Sequence, residues 1–218
     1  MGERFSCALL LLAAGASRRM GRPKQLLLIG NRPLLRHVVE AAIAFGASPM
    51  IVVLGARADE IKPTLAGLAV HIVVNEGWEE GMGSSIRAGA EAALKLAPAI
   101  AGLVIALGDQ PGFSAAHLER LLATHRETGC SIVASRHGTN MMPPVFFSAA
   151  HFPVLFALRG DAGARELLQT KADQVATVAM DDPGDLDTPA DYADYLKRKG
   201  GPFSESESDS NGSVAASS

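Results

Sequence analysis

The chain is poor in the residues that mark several common protein classes. Its 218 residues include only 2 cysteines, 1 tryptophan and 5% aromatic residues. Cys7 and Cys130 cannot form the disulfide framework of a small secreted domain, and they lack the C-x-x-C spacing of a zinc or redox motif. We expect both to be structural thiols. The 6 histidines show no i, i+4 pairing of the kind that holds zinc on a helix.

Long apolar segments and excess charge are also missing. No apolar run reaches the ~18 residues that a membrane span requires. The net charge of −3 comes from Glu205, Glu207 and Asp209, so residues 1–199 carry 20 acidic and 20 basic side chains. A neutral domain lacks the basic footprint of a nucleic-acid-binding protein. We therefore expect no nucleic-acid partner and no membrane partner, and any phosphate binding must come from local clusters of charge.

Composition divides the chain near residue 199. Residues 1–199 are apolar enough for one sizeable domain, whereas residues 200–218 are rich in Ser, Glu and Gly and cannot bury enough surface to fold. We predict a domain over 1–199 and a disordered tail over 200–218. Residues 1–16 have the basic residue and apolar stretch of a secretory signal, but cleavage there would remove the first predicted strand. A cytoplasmic location is the better interpretation.

Apolar runs alternate with helical patterns along most of the chain. Strands are predicted at 7–12, 50–54, 70–74, 103–107 and 131–134, and helices at 34–45, 58–65, 84–96 and 115–128. Further along we expect an extended segment at 143–147, short helices near 149–157 and 161–168, a strand at 174–180 and a closing helix at 188–198. Continuous apolar strands that alternate with helices indicate a sheet covered on both faces. The predicted fold class is α/β, a three-layer Rossmann-like domain with a mainly parallel central sheet.

In such a sheet, ligands bind at the carboxyl ends of the strands. The segments that follow the predicted strands, 15–24, 55–57, 75–85, 108–111 and 135–144, should therefore lie along one rim. Their charged and glycine-containing residues are the candidates for a binding site.

The most informative of these segments follows the first strand and reads L-A-A-G-A-S-R-R-M-G-R-P-K over residues 12–24. Gly15 allows the backbone to approach a ligand closely, and Ser17 adds a hydroxyl to the backbone amides of an anion-binding turn. Arg18, Arg19 and Lys24 supply positive charge. The segment matches neither a Walker A loop nor a G-x-G-x-x-G fingerprint, but it has the composition of a polyphosphate-binding turn.

Two aspartates are candidate metal ligands. Asp109 follows the fourth predicted strand in Gly108-Asp109-Gln110-Pro111, and Asp187 lies in a D-L-D-T-P segment over 185–189. A divalent cation is often held by one or two carboxylates together with substrate phosphates. The structural alternatives are a turn aspartate at 109 and a helix cap at Asp187 or Thr188.

Two further segments have both a structural and a functional interpretation. The run from Asn75 to Gly89 contains Trp78, which could be a packing anchor or a base-stacking platform, and a helix start at which Ser84 could be the cap. The glycines there could let a base or ribose lie against the backbone. The string G-D-A-G-A-R over 160–165 could be a capped helix start with an Asp161–Arg165 pair.

Residues 12–24 match the nucleotidyltransferase signature L-A-A-G-x-S-x-R-M-G-x-x-K without a gap. Together with the segments at 75–89, 108–111, 160–165 and 185–189, this match makes the chain resemble the MobA/MocA-like molybdenum-cofactor nucleotidyltransferases. Within that family the L-A-A-G start is similar to the cytidylyltransferase branch, whereas guanylyltransferases usually have L-A-G-G. The resemblance implies that the methyl group of Ala14 selects CTP. It also implies a binding set for the nucleotide: Leu12, Ala13, Ala14, Gly15, Ala16, Ser17, Arg19, Lys24, Asn75, Gly83, Ser84 and Ser85.

The resemblance also implies a reaction. Lys24, Arg19 and Asp109 would be catalytic, Asp109 and Asp187 would bind Mg²⁺, and CMP would pass from CTP to the phosphate of molybdopterin with release of pyrophosphate. A client molybdoenzyme or its maturation factor would be a protein partner. No nucleophile–base pair is visible, which fits direct in-line transfer. The alternatives are a guanylyltransferase, a cytidylyltransferase for a sugar or isoprenoid-precursor phosphate, and a non-catalytic molybdopterin carrier or chaperone.

Overall fold

The computed structural model describes residues 6–112, 114–162, 168, 174–184 and 186–198. Its strands are β1 (Cys7–Ala13), β2 (Leu28–Ile29), β3 (Arg32–Pro33), β4 (Met50–Leu54), β5 (His71–Val74), β6 (Gly102–Leu107), β7 (Ile132–His137), β8 (Asn140–Ser148) and β9 (Val175–Ala179). Its α-helices are α1 (Leu34–Phe45), α2 (Ala58–Ile61), α3 (Met82–Leu96), α4 (Ala115–Thr128), α5 (Phe152–Ala157) and α6 (Pro189–Arg198).

Seven strands form one sheet in the order β5-β4-β1-β6-β8-β7-β9. Strand β8 is antiparallel to both of its neighbours, β6 and β7, and the other pairings in this sheet are parallel. After β1 the chain moves to one side through β4 and β5, and then crosses back to β6 on the other side. A binding crevice is expected at such a reversal, at the carboxyl ends of β1 and β6.

The central strand β1 is buried on both faces. Leu9 and Leu11 pack in one hydrophobic cluster with α1 and α4, whereas Leu10 and Leu12 pack in a second cluster with α3 and α5. The alternation follows from the two-residue period of a strand, and it produces three layers. The predicted α/β class and the mainly parallel sheet are confirmed.

Several boundaries differ from the predictions. The 58–65 segment is one turn of α-helix followed by a 3₁₀ helix over Lys62–Leu65, because Pro63 lacks the amide proton that a continuing α-helix would use. Helix α3 starts at Met82, two residues before the predicted start. The extended segment at 143–147 is part of the longer strand β8, which lies between β6 and β7.

Part of the sequence-based interpretation falls outside the described residues. Gly163 and Arg165 of the G-D-A-G-A-R string, most of the predicted helix at 161–168, and the tail at 200–218 belong to this part. In the part of the chain that the structure describes, no helix has both the length and the apolar character needed to cross a bilayer.

Candidate nucleotide site

The turn after β1 is shaped by Ser17 and Gln25. Ser17 adopts a left-handed backbone conformation, with φ 52°, and its Oγ accepts a hydrogen bond of 3.0 Å from the backbone amide of Lys24. The buried Gln25 donates from Nε2 to the carbonyl oxygens of Ala13, at 2.8 Å, and Gly15, at 3.3 Å. These bonds fold residues 14–24 back over the end of β1. The role of Gln25 was not predicted, although a glutamine between Lys24 and three leucines is a sign of a buried polar contact.

Lys24 lies between two carboxylates that are distant in sequence. Its Nζ donates to Oδ2 of Asp109 at 3.2 Å and to Oδ1 of Asp187, and the Lys24 side chain is only 11% exposed. Arg19 donates to the other oxygen of Asp187 at 2.8 Å. The fold thus brings the turn after β1, the loop after β6 and the segment before α6 together in one charged cluster.

The charges in this cluster shift one another's pKa. Burial lowers the pKa of Lys24, but attraction to Asp109 and the hydrogen bonds to Asp187 and Asp109 outweigh burial, and the net pKa lies above its ordinary value. The hydrogen bond from Lys24 lowers the pKa of Asp187, and the positive charges of Lys24 and Arg19 lower it further against the opposing effect of burial. Lys24 and Asp187 are therefore both ionised at neutral pH.

The two aspartates are brought together by packing between their loops. The amide of Gly112 donates to the carbonyl oxygen of Pro183 at 3.2 Å, and Gly184, with φ 68°, packs against the ring of Pro111. The loop that carries Asp109 therefore docks on the segment that leads to Asp187.

Thr188 and Asp191 begin the last helix. Thr188 Oγ1 accepts from the amide of Asp191 at 3.2 Å, and Asp191 Oδ2 accepts from the amide of Thr188 at 2.8 Å. This reciprocal arrangement is a capping box, with Pro189 as the first residue of α6. Of the two cap candidates in the sequence, Thr188 is the cap, which leaves Asp187 facing Lys24 and Arg19.

The opposite wall is built around Asn75. Its Nδ2 donates to the hydroxyls of Ser84, at 2.8 Å, and Ser85, at 3.0 Å, and its Oδ1 accepts from the amide of Gly77. Ser84 donates onward to carbonyl oxygens of the loop that precedes α3 and is not the N-cap, a position that Gly81 occupies. Asn75 and Ser84 therefore hold the loop in shape, while Ser85 lines the cleft.

The paired glycines at the start of α3 have a structural reason that the sequence did not reveal. Added Cβ atoms would come within 2.5 Å of Asp161 Oδ1 at Gly81 and within 3.0 Å of the Arg159 amide nitrogen at Gly83. Arg87 fixes the same segment by donating to the carbonyl oxygen of Leu158 at 2.7 Å. The glycines thus give space to residues 158–161 of the chain itself, and this packing places Asp161 at the edge of the cleft.

Between these walls lies a cleft of about 490 Å³ at the carboxyl ends of β1 and β6. Most of the nucleotide-binding residues implied by the sequence line it, namely Leu12, Ala13, Ala14, Gly15, Ala16, Ser17, Arg19, Lys24 and Ser85. Asn75, Gly83 and Ser84 lie behind this surface. Segments 55–57 and 135–144 do not line the cleft either, and 135–144 forms most of the β7–β8 hairpin.

The lining of the cleft is chemically mixed. Arg18, Arg19 and Lys24 line it together with the acidic residues Glu79, Asp109 and Asp161. A Cβ on Gly55 would lie 2.8 Å from the Cβ of Ala14 and 2.6 Å from that of Trp78, so these two side chains are neighbours. Trp78 both packs against the core and lines the cleft. Such a cleft offers basic side chains for an anionic group and the indole of Trp78 for a flat apolar ring.

Asp109 and Asp187 have the chemistry of a divalent cation site. Carboxylate oxygens are the ligands that Mg²⁺ and Mn²⁺ prefer, and Lys24 shows that a positive charge fits between them. Across 6–112, 114–162, 174–184 and 186–198, no group of three or more His, Cys, Asp or Glu side chains converges on a common point. The protein residues fit such an ion only if phosphate or water oxygens supply the remaining ligands.

A buried histidine behind the β7–β8 hairpin was not indicated by the sequence. His117 Nδ1 lies 2.9 Å from a guanidinium nitrogen of Arg120 and must accept its proton, so Nε2 donates to Ser135 Oγ at 2.7 Å. Ser135 in turn donates to the carbonyl oxygen of Pro144 at 2.7 Å. Burial, reinforced by the positive charge of Arg120, lowers the pKa of His117 to about 4. The neutral ring links α4 to the paired strands β7 and β8.

The chain is similar in sequence to known proteins. The chain is 38% identical over 168 residues to nicotine blue oxidoreductase of Paenarthrobacter nicotinovorans, covering 74% of this chain and 80% of that protein. It is 32% identical over 200 residues to the purine catabolism protein PucB of Bacillus subtilis, covering 86% and 94%.

Among solved structures, Rv0371c of Mycobacterium tuberculosis superimposes with a TM-score of 0.77 at 31% identity, covering 87% of this chain and 97% of that one. The same protein has been solved in complex with manganese, and that structure superimposes with a TM-score of 0.72 at 29% identity, covering 88% and 98%. Residues 9–178 match the model of the MobA-like NTP transferase domain. The chain belongs to the MobA-like NTP transferase family.

Proposed function

We propose that this nucleotidyltransferase moves CMP from CTP to the terminal phosphate of a molybdopterin-type cofactor and releases pyrophosphate, with Mg²⁺ as the metal ion. The observation that carries the proposal is the cluster of Lys24, Asp109, Asp187 and Arg19 at the carboxyl ends of β1 and β6. It joins cations suited to a triphosphate with carboxylates suited to a divalent ion. A pure carrier of molybdopterin has no use for this combination.

The residues have separate roles in the proposed reaction. The amides of Gly15 to Ser17, with Arg19 and Lys24, hold the triphosphate and neutralise its charge. Asp109 and Asp187 hold Mg²⁺, which when bound supplies Lewis-acid stabilisation of phosphate oxygens. An oxygen of the acceptor phosphate attacks the α-phosphorus, the bond from that phosphorus to the bridging oxygen breaks, and the electron pair leaves with pyrophosphate. Positioning and charge neutralisation are the whole of the protein's contribution.

The choice of CTP rests on Ala14. Ala14, which is 7% exposed, lines the cleft, and its side chain lies beside Trp78. A methyl group at this point reduces the room for a purine ring. The manganese complex of Rv0371c supports the use of a divalent cation, and the proposal of Mg²⁺ follows from its preference for phosphate and carboxylate oxygens.

A redox function is the second candidate, because the relative of 38% identity is named an oxidoreductase. Hydride transfer would require a nicotinamide or flavin, and it does not need a lysine between two carboxylates. The described cluster therefore favours nucleotidyl transfer. Oxidation of NADH or NADPH by the protein, measured with nicotine blue as acceptor and without nucleoside triphosphate, would support the redox candidate.

The test is pyrophosphate release with Mg²⁺, molybdopterin-type acceptor and each of CTP, GTP, ATP and UTP, with controls that lack acceptor. We expect release that depends on acceptor and on CTP, and loss of nearly all turnover in Asp109→Ala with the fold intact. Asp194→Asn is the matched control, since Asp194 is an exposed carboxylate paired with Lys197 on α6. Acceptor-dependent release with GTP alone would refute the proposal that CTP is the nucleotide donor. In a parallel assay, release that requires a sugar phosphate and does not occur with the molybdopterin-type acceptor would refute the proposed acceptor. Molybdopterin binding without any release would favour a carrier.

A further inference from the structure

The ammonium group of Lys24 occupies the space that a cation would need between Asp109 and Asp187. It contacts one oxygen of each carboxylate, and Arg19 takes the second oxygen of Asp187. The Lys24 side chain is nearly buried, so water does not replace these contacts easily. The carboxylate pair is therefore already neutralised by groups of the protein itself.

A divalent ion and this ammonium cannot use the same oxygens together. Both are cations, and two positive charges at contact distance repel each other. The ammonium has to move before a metal ion binds both carboxylates.

The backbone at Lys24 stays fixed while its side chain can move. The amide is held by Ser17 Oγ, and the residue begins the 3₁₀ helix Lys24–Leu26. Its ammonium sits on a four-carbon stem, in the same cleft as Arg18 and the open turn at Gly15. A triphosphate bound at that turn offers anionic oxygens to which the ammonium can transfer.

We propose that Lys24 competes with the divalent cation for Asp109 and Asp187, and that a bound nucleoside triphosphate relieves this competition by drawing the ammonium away. The inference rests on the proposed function only in assuming that both aspartates are metal ligands. It makes metal and nucleotide binding mutually reinforcing, because each removes an obstacle to the other. Metal alone binds weakly, and the two ligands enter most readily together.

The test measures Mn²⁺ binding to the full chain by the electron paramagnetic resonance signal of the free ion, first without nucleotide or acceptor. We expect Lys24→Gln to bind Mn²⁺ about tenfold more tightly than wild type, since a unit charge at contact distance is removed. Arg18→Gln is the matched control, because it removes a nearby positive charge of the same cleft without opening the space between the carboxylates. The double variant Lys24→Gln, Asp109→Asn should lose the gain.

Adding a non-hydrolysable CTP analogue completes the test. The analogue should tighten Mn²⁺ binding in wild type by a larger factor than in Lys24→Gln, in which the competitor is already gone. Equal gains in Lys24→Gln and Arg18→Gln, or weaker binding in Lys24→Gln, would overturn the competition. Wild-type turnover of CTP together with such a result would leave the proposed function standing. Tighter Mn²⁺ binding in Lys24→Gln without any turnover by wild type would support the competition and refute the proposed function.

Discussion

Gly112 lies so close to Asp182 that a Cβ at position 112 would come within 1.9 Å of the Asp182 carbonyl oxygen. The obstacle is backbone, which cannot rotate aside as a flexible side chain can. This contact holds the loop that carries Asp109 against the segment that leads to Asp187. The separation between the two proposed metal ligands therefore depends on a residue that belongs to neither motif.

Replacing Gly112 by alanine should separate the two loops and reduce activity. Because a misplacement of about 1 Å can cost ~100-fold in rate, we expect kcat/KM for nucleotidyl transfer to fall by about that factor. Gly138→Ala serves as control, since Gly138 has φ 57° but open space around it in the β7–β8 turn. It should lower stability without a comparable loss of activity. A Gly112→Ala protein with wild-type kcat/KM would contradict the proposed role of the contact.

Asp187 and Thr188 should respond differently to substitution although they are adjacent. Asp187→Asn weakens the contacts to Lys24 and Arg19. Because phosphoryl transfer depends on positioning, we expect turnover to fall by about 100-fold. Thermal stability should change little. Thr188→Ala removes the cap of α6 and should cost about 1 kcal/mol of unfolding free energy, with kcat largely retained. Chemical denaturation and pyrophosphate release separate the two effects. The reverse pattern would assign the cap to Asp187.

His117 should make the protein less stable in mild acid. The unfolded side chain takes up a proton near pH 6.5, whereas the folded one does so only near pH 4. The stabilisation is fully present above pH 6.5 and is lost as the pH falls from there towards 4, by about 3 kcal/mol in total. In His117→Gln, the free energy of unfolding should be lower at pH 7 but should decline less over this range. Parallel curves for the two proteins would show that the folded histidine takes up a proton as readily as the unfolded one.

Ala14→Gly should relax the selection against purines. Loss of one methyl group in an apolar pocket changes discrimination by about tenfold or more, so the ratio of kcat/KM for CTP to that for GTP should fall by this factor. The ratio is measured with both nucleotides in one competition assay, which cancels changes in enzyme concentration. An unchanged ratio would show that a residue other than Ala14 determines the choice of base.

Local patterns predicted much of the fold. The bounds of β4, α1 and α4 agree with the sequence prediction to the residue, because each is an apolar segment with a clear period between turn residues. The end of β1 and the start of the proposed phosphate-binding turn were also visible, since Gly15 and the basic residues follow the apolar run directly. These features depend on residues close in sequence.

Features set by distant contacts were not predictable in this way. The insertion of β8 between β6 and β7 depends on hydrogen bonds across the sheet, and its Pro143 and Pro144 gave no hint of a central strand. The packing of residues 158–161 on Gly81 and Gly83 is likewise invisible to a local pattern. The sequence offered Asp187 and Thr188 as alternative caps, and only the hydrogen bonds of Asp191 distinguish them.

The bond from Lys24 to Asp187 joins residues that are 163 positions apart, and the matched family domain ends at residue 178, before the aspartate. During synthesis, the turn after β1 leaves the ribosome long before its partner exists. Asp187 also follows β9, the last strand of the sheet in the chain. All seven strands of the sheet are therefore synthesised before the charged cluster can be completed.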